Sequence, residues 1–448
     1  MSKITNSTLK INKLFSDEKS RSVSELSKLY ENRDLLVKNI HELSREWINE
    51  SNLISKKVLL KPNWVKHSSN PTHDICLRTN DNFVLAALEV VLNCKPKEVV
   101  IGDAPIQGCI WDKMITSSFL GEIRKLSDKY KIPVTVKDFR RVTFDPKLNK
   151  IDKDFTPINN YTLFDLGTNS YLEPISLITK NLFRVTQYNP DRFKESHRAG
   201  MHKYCITNDL FDADVVISLP KIKTHQKAGM TGALKNLVGL NGDKDYLPHH
   251  RIGGTNRGGD CYPGGNLLRF WAEMLQDTAN RNIGKTIYRY WLRLSAVLWR
   301  LSLPKKVHHL GAAWYGNDTI WRMVMDLNKI AIYGKKNGEI ADEQQRIVFS
   351  LCDGIIGGQG DGPLNPEPLP FGIISFSTDA ILNDISMATL MGIEYKKLPL
   401  LLAAQIINQN TLSTIYLDGE LIAPHELTKI AITAKMPPGW LDYHIQKD

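Results

Sequence analysis

DADVVISLPKIKTHQKAGMTGALKNLVGL, residues 212–240, decides the fold. Its opening run, Ala213 to Leu219, is short and rich in branched apolar side chains, and Pro220 stops it. That is the pattern of a strand buried on both faces of a sheet. Three other segments share the layout: VLLKPN at 58–63, VVIGDAP at 99–105 and VFSLCDGIIGG at 348–358. Each runs into a polar turn with Gly or Pro and then, sooner or later, a helix. Repeated strand–helix units predict an α/β fold with a mostly parallel sheet flanked by helices.

Working outward, residues 1–20 are polar and read as a loose tail, followed by a helix up to 54. The α/β region spans 55–395, with helices near 80–92, 112–130 and 319–333 and a helix capped by Thr378 or Asp379. Within it, 140–205 reads as a β-rich insertion, because short apolar segments alternate there with Asn, Asp, Gly and Pro. The stretch 267–303 reads as one long basic amphipathic helix, and 396–448 as a closing helix and strand segment.

The chain has 448 residues and a formal net charge of +10, from 58 basic and 48 acidic side chains. Such an excess suits an anionic ligand, an anionic membrane surface or nucleic acid. For nucleic acid the charge is the sole support, since the aromatic–basic repeats of a stacking platform are missing. The six cysteines are scattered without any CxxC, so neither a zinc site nor an iron–sulfur cluster is encoded locally. That usage fits a reducing, cytoplasmic setting. No signal-peptide core and no run of ~18 apolar residues is present. P-loop, GxGxxG, HExxH and GxSxG patterns are also lacking.

In a parallel sheet, ligands bind outside the carboxyl ends of the strands. Lys61, Asn63, Asp103, Lys221, Lys223, His225 and Asp353 would meet there. Lys221, Lys223 and His225 alternate, so an extended segment after Pro220 points all three the same way. Two ammonium groups and an imidazole suit a carboxylate or phosphate. A solvated strand end explains the triplet alone equally simply; Lys61 and Asn63 at a second strand end tip the reading toward a site. Lys61, Lys221 and Lys223 would hold the anion, Asn63 would orient it, and His225 or Asp103 would move a proton. The segment AGMTGALKNLVGL reads as a short helix carrying Lys235 and Asn236, with an N-terminus suited to an anion or simply to close packing. His249, His250 and Arg251 open a Gly-rich loop, 251–266, that reads as a mobile lid or as a plain surface loop.

Two further readings stay open. Asp353, Asp361 and Asp384 would make a divalent-cation site if brought together, and are otherwise ordinary turn and helix acids. From Thr278 to Asn317 no acidic residue occurs, and Arg281, Lys285, Arg289, Arg293 and Arg300 fall on one helical stripe. Ile287, Trp291, Leu294, Leu298 and Leu301 fall opposite. Such a helix can lie on an anionic membrane surface, peripheral to its inner face, or pack on the core with a solvated basic side.

KVLLKPNWV, EVVIGDAP, DADVVISLPKIKTHQKAGMTGALKNLVGL and GQGDGPL with the helix from Thr378 together resemble the domain-of-unknown-function family 362, over roughly 55–395. The third piece is the most specific, being long and ungapped. Many members append a ferredoxin-like iron–sulfur domain with a CxxCxxCxxxC run. This chain lacks that run, so the resemblance implies no cluster here. It implies the fold and the positions of interest, and no reaction. The expected function is an enzyme acting on an anionic, carboxylate- or phosphate-bearing small molecule. The alternatives are a non-catalytic scaffold on an anionic membrane surface and a divalent-metal-dependent enzyme.

Overall fold

The structure, a computed structural model, describes residues 6–17, 19–145, 150–152, 156–177, 180–186, 188–302, 311–407, 412–440 and 443–444. The four apolar segments lie side by side. Ile347–Asp361, Val215–Leu219, Lys57–Pro62, Glu98–Asp103 and Val134–Asp138 pair in that order, all parallel. Beyond Ile347–Asp361 the sheet turns mixed. Ile373–Ser377 and then Asn6–Lys13 join antiparallel, Leu412–Leu417 joins parallel, and Glu420–Ile422 closes the edge. The class is therefore α/β, with a mixed, mostly parallel central sheet.

Apolar runs without alternation follow from burial on both sides. In Lys57–Pro62, Val58 and Leu60 enter one core cluster while Leu59 enters the other. In Val215–Leu219, Ile217 and Leu219 face the first and Val216 the second. From Lys57–Pro62 the chain moves outward on one side, and from Val215–Leu219 on the other. The switch point thus falls between these two strands, where Lys61 is in register with Ser218.

Four expectations change. The N-terminal residues are not loose where described: Asn6–Lys13 is a strand, and its alternate Leu9 and Ile11 are buried. Six polar residues around Leu9 and Ile11 hid that period of two. The segment after Gln226 is mostly not helical. Gly229–Thr231 is a strand paired with Lys221–His225, and the helix covers only Ala233–Asn236 before a 3-10 turn. The single helix over 267–303 is a hairpin of two, Leu267–Arg281 and Ile287–Ser302. Gly284, at φ 93°, lies in the break. Arg269 reaching Ser302 at 3.4 Å and Ser295 bonding the Ala272 carbonyl at 2.7 Å fix the two antiparallel. The Gly-rich loop is folded rather than open. Its backbone closes on itself through Cys261 to Gly253 at 3.1 Å and Thr255 to Tyr262 at 3.1 Å.

The 140–205 stretch does carry short strands. Tyr161–Asp165 pairs with Met201–Thr207, and Phe183–Arg184 pairs with His250–Arg251 next to the site. No helix among the described residues is long and apolar enough to cross a membrane.

Candidate functional site

Beyond the carboxyl ends of the parallel strands lies a cavity of about 870 Å³. Asn63 and Asp103 reach it from two strand ends, and Lys223 and His225 from the extended segment after Pro220. Lys235, Asn236, His249 and His250 complete the expected residues that line it. The Ile287–Ser302 helix supplies another wall through Tyr288, Leu292, Trp299 and Arg300.

Lys61 sits just behind that lining, wholly buried. Its Nζ meets Asp103 at 2.7 Å and donates to the Pro62 carbonyl at 2.8 Å. Asp103 also accepts from the backbone N–H groups of Trp64 at 2.6 Å and Ala104 at 2.8 Å. Burial raises the pKa of this carboxyl, while Lys61 and the Trp64 N–H oppose the shift. Gly239 is what lets this pair form: a Cβ there would stand 1.7 Å from Asp103 Oδ1.

An amide bridge carries order from the pair to the cavity. Asn236 donates to the Lys61 carbonyl and to Ser218 Oγ, each at 2.9 Å, and accepts from Asn63 at 3.1 Å. Asn63 in turn accepts from Lys223 Nζ at 2.8 Å. Lys223 also donates to the Leu77 carbonyl. Lys223, Lys227, Lys235 and Lys244 all line the cavity, and among the described residues none has a carboxylate within ion-pair distance. Burial, reinforced by mutual repulsion, brings Lys223 and Lys235 down to about 7. Burial likewise brings Lys244 to about 8. Thr231 Oγ1, buried in the same wall, has no hydrogen-bond partner among the described residues.

Backbone partners assign the imidazole tautomers. His225 Nδ1 receives the N–H groups of Lys227 at 3.0 Å and Ala228 at 3.2 Å. Its proton therefore sits on Nε2, and burial holds the ring neutral, with its pKa well below the usual value. His225 thus presents an N–H, a hydrogen-bond donor, toward the cavity side of the ring. His249 is its complement. Its Nδ1 lies 2.7 Å from the Leu247 carbonyl, which can only accept, so Nε2 keeps a free lone pair. Burial beside Lys227 and Lys235 lowers this ring as well.

The remaining candidates lie elsewhere. Lys221 is sealed beneath the site, on Asp353 at 3.0 Å and Tyr30 at 2.9 Å. Arg251 turns to Asp318 at 3.6 Å and Asp260 at 3.7 Å. The acid triad is not assembled. Asp353 holds Lys221 and the Asn80 N–H, Asp361 binds Gln226, and Asp384 accepts from Ala233 N–H at 2.6 Å and Leu234 N–H at 2.9 Å. Asp384 thereby occupies the helix start offered as an anion site. Among the basic stripe, Arg281 is paired with Asp191 at 2.9 Å and sits on the other helix from Arg289, Arg293 and Arg300. Lys285 falls in the turn between them, bonded to Asn282.

Sequence reasoning missed Lys227 and Lys244; Thr231 it places with Lys235 and Asn236 on the segment offered to an anion. Lys227 merely continues the alternation of 221, 223 and 225, a signal that was present. Lys244 was hidden between Asp243 and Asp245.

Residues 173–389 match the family described as domain of unknown function (DUF362), which bears out the resemblance over that stretch. A thylakoid-associated protein of Synechocystis sp. is 22% identical over 222 residues, 50% of this chain and 46% of that protein. The chain thus spans less than half the length of that relative. A crystal structure of a Thermotoga maritima protein aligns with a TM-score of 0.34 at 10% identity, covering 81% of this chain and 56% of that one.

Proposed function

We propose that this chain, matching the DUF362 family over 173–389, is an enzyme acting on a carboxylate- or phosphate-bearing small molecule in the strand-end cavity. One observation carries the reading: four lysines surround a single cavity with no carboxylate paired to any of them among the described residues. Sheltering unpaired ammonium groups is costly unless a ligand supplies the counter-charge. Lys223, Lys235 and Lys244 hold the anion, with Thr231 and the Nε2–H of His225 donating to it. His249, with its free Nε2, is the acid–base group. The six free, buried cysteines support a reducing, cytoplasmic setting.

Calorimetric titration with inorganic phosphate and with a small dicarboxylate tests this. Lys223→Met and Lys235→Met should each weaken binding by roughly ten- to a hundredfold, the worth of one charge-assisted hydrogen bond. Because both amines titrate near 7, affinity should fall as pH rises from 6 to 9. Binding indifferent to both substitutions and to pH would remove the reading.

A second reading has its own observation. On the helical hairpin Leu267, Trp271, Tyr290, Val297 and Leu301 are all exposed, and Arg289 and Arg293 on the same helix as the last three are exposed too. We propose that this face rests on an anionic membrane surface; the name of the Synechocystis relative is consistent with that. In co-sedimentation with anionic vesicles, the double charge reversal R289E/R293E should lower partitioning by roughly tenfold or more, at ~1 kcal/mol per basic residue. Equal pelleting of both proteins, or none, would sink it.

A further inference from the structure

His250, Cys261 and Glu273 come from three separate segments: a two-residue strand, the Gly-rich loop and the first helix of the hairpin. Their ligand atoms nevertheless all lie within 4.8 Å of one another, and among the described residues this is the single such trio of His, Cys, Asp or Glu. All three side chains are buried. His250 and Cys261 also line the 870 Å³ cavity. Glu273 has no cation within ion-pair distance among the described residues. Its carboxylate accepts the Gly253 N–H, at 3.0 and 3.2 Å, and the Cys261 thiol.

We propose that His250, Cys261 and Glu273 bind one divalent transition-metal ion, with an open coordination position facing the cavity. The donor set selects the metal class. One thiolate, one imidazole and one carboxylate suit a borderline ion such as Zn²⁺, Fe²⁺ or Co²⁺, and suit Mg²⁺ or Ca²⁺ poorly. Three protein ligands with a free fourth position are the arrangement of reactive rather than structural zinc. Charge agrees: a thiolate and a carboxylate around a dication with a neutral imidazole add to zero, which a buried place tolerates. Lys227 Nζ lies 3.5 Å from His250 Nδ1. The scaffold is braced, since the Cys261 carbonyl receives the Ala312 N–H at 2.8 Å and His250 is held in strand pairing with Arg184.

The test is Co²⁺ added to the metal-free full chain, read by absorption and needing no substrate. One equivalent should bind and show thiolate-to-cobalt charge transfer in the near ultraviolet. Cys261→Ser should abolish that band, and Glu273→Gln, nearly isosteric, should weaken Co²⁺ binding by roughly tenfold or more. Cys109→Ala should change nothing, which matters because Cys109 Sγ lies 3.6 Å from His67. Absence of the band in the unsubstituted protein overturns the proposal, as does a band that survives Cys261→Ser or vanishes with Cys109→Ala. Phosphate binding by Lys223 and Lys235 is measured separately, so the two readings fail independently.

Discussion

Lys221 and Lys223 are the same side chain on the same strand, two residues apart, and both are wholly buried. Lys223 lines the cavity at the strand ends, and Lys221 does not. Lys221 finds a full complement: the Asp353 carboxylate, the Tyr30 hydroxyl and the face of the Tyr30 ring at 5.3 Å. Lys223 finds only neutral acceptors, the Asn63 amide and the Leu77 carbonyl, and feels the like charge of Lys235 and Lys221. The difference teaches where to look for function in a fold that buries many ions. A buried charge with a dedicated partner is architecture, and a buried charge supplied only with dipoles awaits a partner from outside.

Breaking the sealed pair should have the largest effect. Asp353→Ala would strand the Lys221 ammonium in an apolar interior, and removing one member of a buried pair costs ~3–5 kcal/mol. Urea unfolding should report a loss of that size. A loss below ~1 kcal/mol would mean that Tyr30 alone satisfies Lys221, and the contrast between the two lysines would blur.

Between these extremes stands Lys61, paired with Asp103 yet next to the cavity. Gly239→Ala would drive a methyl into that pair, 1.7 Å from Asp103 Oδ1 and 2.8 Å from Lys61 Nζ. An overpacked interior costs ~1–3 kcal/mol, visible as a lower unfolding midpoint. Phosphate affinity should fall as well, because the displaced pair is tied through Asn236 and Asn63 to Lys223. Gly108→Ala is the control. It too lines the cavity, but its nearest neighbour for a Cβ is 4.0 Å away, and it should be neutral in both measurements.

The sheet was legible because burial on both faces leaves an unbroken apolar run in each strand, and four such runs stood out at Val58, Val99, Val215 and Val348. The site was legible in part for a related reason. A side chain that immediately follows a parallel strand is delivered to the carboxyl edge whatever else the chain does, which brought Asn63, Asp103, Lys223 and His225 to one place. Which of two alternating lysines is free was not legible. The answer depends on Tyr30 and Asp353, 191 and 132 residues away from Lys221. The roles of the histidines were hidden likewise. Whether a ring donates or accepts at the cavity is set by a backbone carbonyl or N–H on its far side, and no spacing rule encodes that. The helix break at Gly284 escaped because the basic and apolar stripes continue across it, so periodicity alone read one helix where the chain folds back.

Lys223 itself offers the subtlest measurement. The unfolded chain keeps this proton up to ~10.4, whereas the folded protein releases it near 7. Between those values the unfolded state binds more protons, so stability should rise with pH. Below 7 both states are protonated and the burial penalty is present in full. Lys223→Met removes the titrating group. At pH 6.5 it should therefore leave the unfolding free energy within ~1 kcal/mol of the parent or raise it, the opposite of Asp353→Ala. From pH 7 to 10 it should flatten the parent's upward slope, with Lys235 and Lys244 contributing to the part that remains. Saturating phosphate adds the sharper half of the test. An anion on Lys223 restores its preference for the proton, so the ligand should flatten the parent's slope by more than that of Lys223→Met, where only Lys235 and Lys244 remain to respond. If the parent and the variant show the same slope with and without phosphate, Lys223 is as satisfied as Lys221, and the cavity loses its claim to an anion.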